Sequence, residues 1–113
     1  MHEISIIEQV LEIALEQAKK RGATRIHQLN MRLGEMSGVV PEALQFAFDV
    51  ATEGTAAEGA ILEIDTVPAI CYCNNCQIEF QPVDIFYECP QCGQLSADLH
   101  QGREIELSSL EIS

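Results

Sequence analysis

Two cysteine pairs constrain this chain more than any other feature. Cys73-Asn-Asn-Cys76 and Cys89-Pro-Gln-Cys92 are C-x₂-C turns separated by twelve residues, Gln77 to Glu88. A turn of that spacing puts two thiolates on one side of an ion, and a second such turn completes the tetrahedron that Zn(II) prefers. Gly93, directly after the second pair, permits the left-handed backbone such turns often need. The intervening residues predict two short strands and a turn. Ile78, Phe80, Val83, Ile85, Phe86 and Tyr87 are the apolar residues available there, too few to fold a lobe of this size unaided. Structural zinc contributes roughly 10–16 kcal/mol in small zinc peptides, enough to decide whether such a lobe folds. Four protein ligands leave no open coordination position, which points to a structural ion and away from a catalytic one.

All five cysteines lie between Cys71 and Cys92. A disulfide scaffold would spread its bridges through a secreted chain, so a tight cluster with an odd count favours a metal site over two disulfides. Cys71 sits too close to Cys73 to make a turn of its own. It reads as a free thiol, with exchange into the zinc shell as the alternative. Residues 1–20 carry Glu3, Glu8, Glu12 and Glu16 with no uninterrupted apolar stretch, unlike a secretory signal. The expected compartment is the cytoplasm.

Charge narrows the function classes. The 113 residues hold six Lys+Arg against eighteen Asp+Glu, a formal net charge of −12. Phosphate recognition needs clustered cations, so a nucleic-acid partner is not expected. Anionic membrane surfaces are excluded on the same ground, and no apolar run approaches the roughly 18–20 residues of a membrane span. Residues 70–102 contain Glu79, Asp84, Glu88 and Asp98 and no Lys or Arg. Zn(II) with four thiolates adds a further negative charge, which makes this lobe a scaffold and a protein-docking surface. No paired acid and base, nucleophile constellation or phosphate-binding loop is present, so an enzyme is not expected.

The remaining chain reads as a small α/β domain. Ile4, Ile6, Ile7, Val10, Leu11, Ile13, Ala14, Leu15 and Ala18 predict an amphipathic helix over residues 3–20, its apolar arc spanning about 200°. Lys19, Lys20 and Arg21 suit its C-terminal end, and Gly22 its termination. Residues 24–33 alternate as a strand, with Leu29, Met31 and Leu33 on one face. Pro41 opens a second helix whose stripe is Leu44, Ala47, Phe48 and Ala51. Strands follow over 60–67 and 103–113. In the last, Ile105 and Leu107 have one parity and Leu110 and Ile112 the other, which predicts a bulge near Ser108 and Ser109. The expected architecture is therefore α+β: two helices on a three-stranded sheet, residues 1–69 plus 103–113, with a Cys₄ zinc ribbon, residues 70–102, inserted between two strands. A monomer and a homodimer both remain open, including one in which the late strand exchanges between chains.

The chain opens Met1-His2-Glu3. A terminal amine, the backbone nitrogen of His2 and its imidazole are contiguous and can chelate one ion in fused rings. Glu3 adds a carboxylate and a second backbone nitrogen. Nitrogen-rich, in-plane donors favour Ni(II) or Cu(II). The amine must be free, and the bulky His2 opposes removal of Met1. A lone surface histidine is the plainer reading of His2 taken by position alone. His27, by parity, joins the Leu29 face as a half-buried strand residue. His100, beside Asp98, is expected at the surface. Either could supplement the terminal donors.

Met1-His2-Glu3 on an amphipathic helix, followed by Ala69-Ile70-Cys71-Tyr72-Cys73-Asn74-Asn75-Cys76 and Cys89-Pro90-Gln91-Cys92, resembles the HypA/HybF family along the whole chain. Arg32-Leu33-Gly34 and Ala57-Glu58-Gly59 are similar to family sequences too. The resemblance implies a nickel metallochaperone of [NiFe]-hydrogenase maturation. It implies that Met1, His2 and Glu3 hold Ni(II) as cargo, and that Cys73, Cys76, Cys89 and Cys92 hold structural Zn(II). An accessory GTPase and the hydrogenase large subunit are the implied partners, and some relatives also serve urease. The competing reading is an acidic zinc-ribbon interaction module that transports no metal.

Overall fold

The computed structural model describes residues 2–113. In chain order the elements are α1 (Glu3–Lys20), β1 (Ile26–Gly34), α2 (Pro41–Ala51), β2 (Ile61–Val67), β3 (Ile70–Cys73), β4 (Ile78–Phe80), β5 (Asp98–Gln101) and β6 (Ile105–Ile112). They form two three-stranded sheets, ordered β2-β1-β6 and β4-β3-β5. By contact the chain divides into two units. One comprises Met1–Arg32, Val39–Asp65 and Glu106–Ser113; the other comprises Leu33–Gly38 and Thr66–Ile105. The second unit thus also takes in residues 33–38, 66–69 and 103–105, which the sequence pattern places in the α/β domain.

In the first unit α1 packs against α2. The helix buries Ile6, Ile7, Val10, Leu11, Ala14 and Ala18, an arc of about 140° at 100° per residue. That is narrower than the sequence suggested, because Ile4 and Ile13 stay in solvent and Leu15 is only half-buried. Pro41 begins α2 where its missing N–H costs nothing, and Leu44, Ala47 and Phe48 face inward. Thr52 ends the helix by donating its hydroxyl to the Phe48 carbonyl at 2.8 Å. The Ile26 N–H donates to Ala56 at 2.9 Å, just ahead of β2, and the residue after β1, Glu35, donates to Val67 at 2.8 Å. β1 and β2 therefore run in the same direction, joined by α2 as crossover.

β6 runs antiparallel to β1. Ser113 exchanges backbone bonds with Arg25, and Gly34 donates to Glu104 at 2.7 Å. Burial changes phase along β6, where Leu107, Leu110 and Ile112 are half-buried and Ser108 and Ser109 are both exposed. β1 changes phase as well, burying Ile26 and then Leu29, Met31 and Leu33. Gly34 lies nine positions after Arg25 and Ser113 nine positions after Glu104 between the same bonded ends, so neither strand carries a net extra residue. The expected one-sided bulge is thus a slip shared by both strands. Asn30 marks it: its amide donates to Ser109 Oγ at 2.8 Å, and its carbonyl accepts from Ser108 Oγ at 2.9 Å. The same slip turns His27 outward, where it is exposed rather than half-buried and lies 2.6 Å from Ser113 Oγ.

The second unit is a small sheet around the cysteines. β3 pairs antiparallel with β4, Cys71 opposite Phe80, and antiparallel with β5, Tyr72 opposite Asp98. Its core is Cys71, Cys73, Phe80 and Cys89, with Cys76, Ile78, Tyr87 and Leu99 packed around them. The sequence pattern placed two strands between the cysteine pairs, but only β4 forms there. Pro82 has no N–H to continue a ladder, and Asp84 accepts the Phe86 N–H at 2.8 Å, tying the chain into a turn. β3 supplies the partner strand instead.

Gly34 and Gly102 mark a close backbone approach in this unit. A Cβ on Gly34 would lie 2.1 Å from the Gly102 carbonyl oxygen, and one on Gly102 would lie 2.8 Å from Ala69 Cα. Gly102 also has φ +126°, a conformation that other residues rarely adopt. The close approach lets the Met36 N–H donate to Gly102 at 2.7 Å.

Candidate metal sites

The four sulfurs of Cys73, Cys76, Cys89 and Cys92 all lie within 4.8 Å of one another. Cys73 Sγ and Cys92 Sγ, one from each turn, are 3.6 Å apart. Four thiolates about 2.3 Å from a tetrahedral Zn(II) stand roughly 3.8 Å from each other, so this donor set fits the ion. The two turns are built alike. Gln77 donates to the Cys73 carbonyl at 2.7 Å and Gly93 to the Cys89 carbonyl at 2.9 Å. The residue after each turn is left-handed, Gln77 at φ 57° and Gly93 at φ 75°. The glycine was legible in the sequence; the glutamine was recognisable only by its equivalent place in the other turn. In the first turn the Cys76 N–H donates to Cys73 Sγ at 3.4 Å, a contact that stabilises thiolate charge.

Sulfurs this close do not all ionise unless a cation sits among them. Hydrogen bonding to Cys92 pushes Cys76 up to about 12. The Gln94 N–H holds Cys92 down to about 6. Cys92 is thus favoured as the anion, and Cys76 retains its proton until a divalent ion replaces it. Cys71 does not join the group. It is fully buried against Phe80, and burial pushes its thiol up from the ordinary value. It is a core residue.

At the other candidate site, His2 is exposed and extended, φ −81° and ψ 141°, at the N-cap of α1. Its carbonyl accepts the Ile6 N–H at 3.2 Å, and its side chain makes no capping bond. Glu3 is half-buried in the first turn. Met1 lies outside the described residues. Among the described residues, the four cysteines are the only convergent group of three or more histidine, cysteine or acidic side chains, so no third such side chain joins His2 and Glu3. An open hollow beside them is lined by Ile4, Ser5, Ala43 and Phe46.

His100 has partners that spacing did not suggest. Its ring stacks on Tyr72 with centroids 5.2 Å apart. Nδ1 lies 3.0 Å from Glu79 and Nε2 lies 3.2 Å from Asp98. The arrangement spans the sheet, with Glu79 on β4, Tyr72 on β3 and Asp98 on β5. Only an imidazolium can donate at both nitrogens, and hydrogen bonding to Glu79, with Asp98 adding to it, raises the His100 pKa above 6.5. Because the folded value exceeds the unfolded one, this contribution to stability is fully present below about 6.5 and lost as pH rises through the folded value. A His100→Gln chain is therefore expected to melt below the wild type at pH 5.5, with the gap closing by pH 8.5. A gap independent of pH in thermal melts would contradict the assignment.

A two-helix α/β unit with an exposed histidine at its first helix, together with a four-cysteine sheet unit, defines a small metal-binding protein. Among the described residues, no helix is long and apolar enough to cross a membrane. A family model described as hydrogenase/urease nickel incorporation, metallochaperone, HypA, matches residues 1–112, and the chain belongs to that family. It is 51% identical to the hydrogenase maturation factor HypA of a Picosynechococcus species, over 99% of each chain. The Roseiflexus HypA is 47% identical, with 98% of this chain and 91% of the relative covered. Among solved structures, the solution structure of the nickel metallochaperone HypA from Helicobacter pylori superposes with a TM-score of 0.70 at 30% identity, covering 99% of this chain and 97% of that one. Membership decides for a nickel metallochaperone in hydrogenase maturation, not an enzyme and not a transport-free interaction module.

Proposed function

We propose that this chain collects Ni(II) at its N-terminus through the Met1 amine, His2 and Glu3 and delivers it for insertion into the [NiFe]-hydrogenase large subunit. Cys73, Cys76, Cys89 and Cys92 hold Zn(II) and shape the second unit. The observation that carries the first part is His2. Its backbone caps α1 while its imidazole stays exposed and makes no capping bond, one residue from the chain's amine.

The position suits a carrier. The N-terminal end of a helix carries partial positive charge, which opposes a bound cation by about 0.3–1 kcal/mol. Glu3 in the first turn offsets that field. The ion is then held by a few chelating atoms against a mildly unfavourable field, so a partner can take the ligands one at a time. Imidazole and amine must both be unprotonated to bind, so loading weakens as pH falls. The partners of this reading are an accessory GTPase and the hydrogenase large subunit, in the cytoplasm.

Nickel titration of the untagged chain tests it. His2→Ala should lower affinity by at least about 100-fold, beyond the roughly 10–100-fold that loss of a second-shell partner costs. A Gly-Ser extension before Met1 should do the same, since it moves the amine away from the imidazole. Equal affinity in native and extended chains would remove the N-terminal site.

A further inference from the structure

The geometry points to the loop between β4 and the second cysteine pair as an apolar anchor for a basic protein surface. Val83, Ile85 and Phe86 are 95%, 74% and 65% exposed. Three large apolar side chains within four residues would ordinarily supply core to so small a unit, yet the core is made without them. The Asp84 carboxylate ties the turn from which they project. Tyr87 follows with a left-handed backbone, φ 54°, and packs back against the core. A concentrated apolar surface of this kind marks an interaction site.

Charge selects the occupant. Asp84 lies within the loop and Glu88 at its end, and no Lys or Arg occurs between Ile70 and Gly102. A zinc tetrathiolate adds to the negative field. A second copy of a chain with net charge −12, a nucleic acid or an anionic membrane would all be repelled. A protein surface with an apolar cleft rimmed by Lys and Arg complements both features. The inference rests on the proposed maturation role for the identity of its probes: the purified hydrogenase large-subunit precursor and the purified accessory GTPase.

The test uses the full chain with Val83→Ser and Phe86→Ser together, and separately with Asp84→Lys. Neither Val83 nor Phe86 is in the core, so zinc content, nickel content and melting should match the wild type. The wild type should bind one of the two probes, more weakly as salt rises. The serine pair should weaken that binding by about tenfold or more, Asp84→Lys should weaken it too, and both should lower hydrogenase activity in cells lacking the native chain. The inference is overturned if the wild type binds neither probe, or if the serine pair matches it in binding and in cells. Loop-dependent self-association, or loop-dependent partitioning onto neutral or anionic vesicles, would overturn it as well. Failure of the nickel reading is separate: His2→Ala chains that mature hydrogenase normally would sink that reading and leave the binding result intact.

Discussion

Replacing Cys73 by Ser is expected to empty the zinc site and unfold the second unit. Metal analysis should find less than about a tenth of the wild-type zinc, because a missing thiolate weakens a site worth roughly 10–16 kcal/mol in small zinc peptides. The reason for collapse is that the ligands are themselves the core. Cys73 and Cys89 are two of its four fully packed residues, and Cys76 is packed against them. Val83, Ile85 and Phe86, which could have replaced them, are in solvent. Amide exchange should therefore lose protection over β3, β4 and β5. His2 and Glu3 belong to the other unit, so nickel affinity should change by no more than about twofold, as for independent sites. Loss of nickel binding and of α1 helicity together with the zinc would show that the units do not fold separately.

A methyl group at Gly34 should be nearly as damaging, with no change in metal chemistry. The added Cβ would sit 2.1 Å from a backbone oxygen, so the chains around Gly34 and Gly102 must move apart. That separation strains or breaks the Gly34–Glu104 and Met36–Gly102 hydrogen bonds, both 2.7 Å. Overpacking of this severity with loss of hydrogen bonds costs about 3–5 kcal/mol, which lowers the melting temperature of a chain of this size by roughly 15 °C. Thermal melts of zinc-loaded Gly34→Ala chains provide the measurement. A drop below about 3 °C would mean that the two segments separate easily and that the approach contributes little.

Much of the site was legible because its signals are local. The zinc ligands follow from two identical spacings, and the helices from runs of apolar residues with a Pro and a Gly at their ends. The second unit's strands were less visible. Ile70–Cys73 and Asp98–Gln101 are each four residues long, too short for alternation to identify. Their pairing is direct, with β3 at the centre of the sheet between β4 and β5. The apolar residues of the loop misled in a similar way. Composition counts Val83 and Phe86 as core candidates, but Pro82 and the Asp84 turn direct them outward. His27 was assigned inward by parity from Leu29, and a slip shared by two strands reversed it.

Residue order alone determined the zinc donor set: two cysteine pairs at fixed spacing are a short-range fact that needs no partner segment. The tertiary structure decided what depends on distant segments meeting beyond the expected three-stranded sheet: that β5 joined β3, why Gly34 tolerates no side chain, and why His100 sits between two carboxylates. Those outcomes arise from pairing across tens of residues, where burial and backbone hydrogen bonding, not local pattern, select the arrangement.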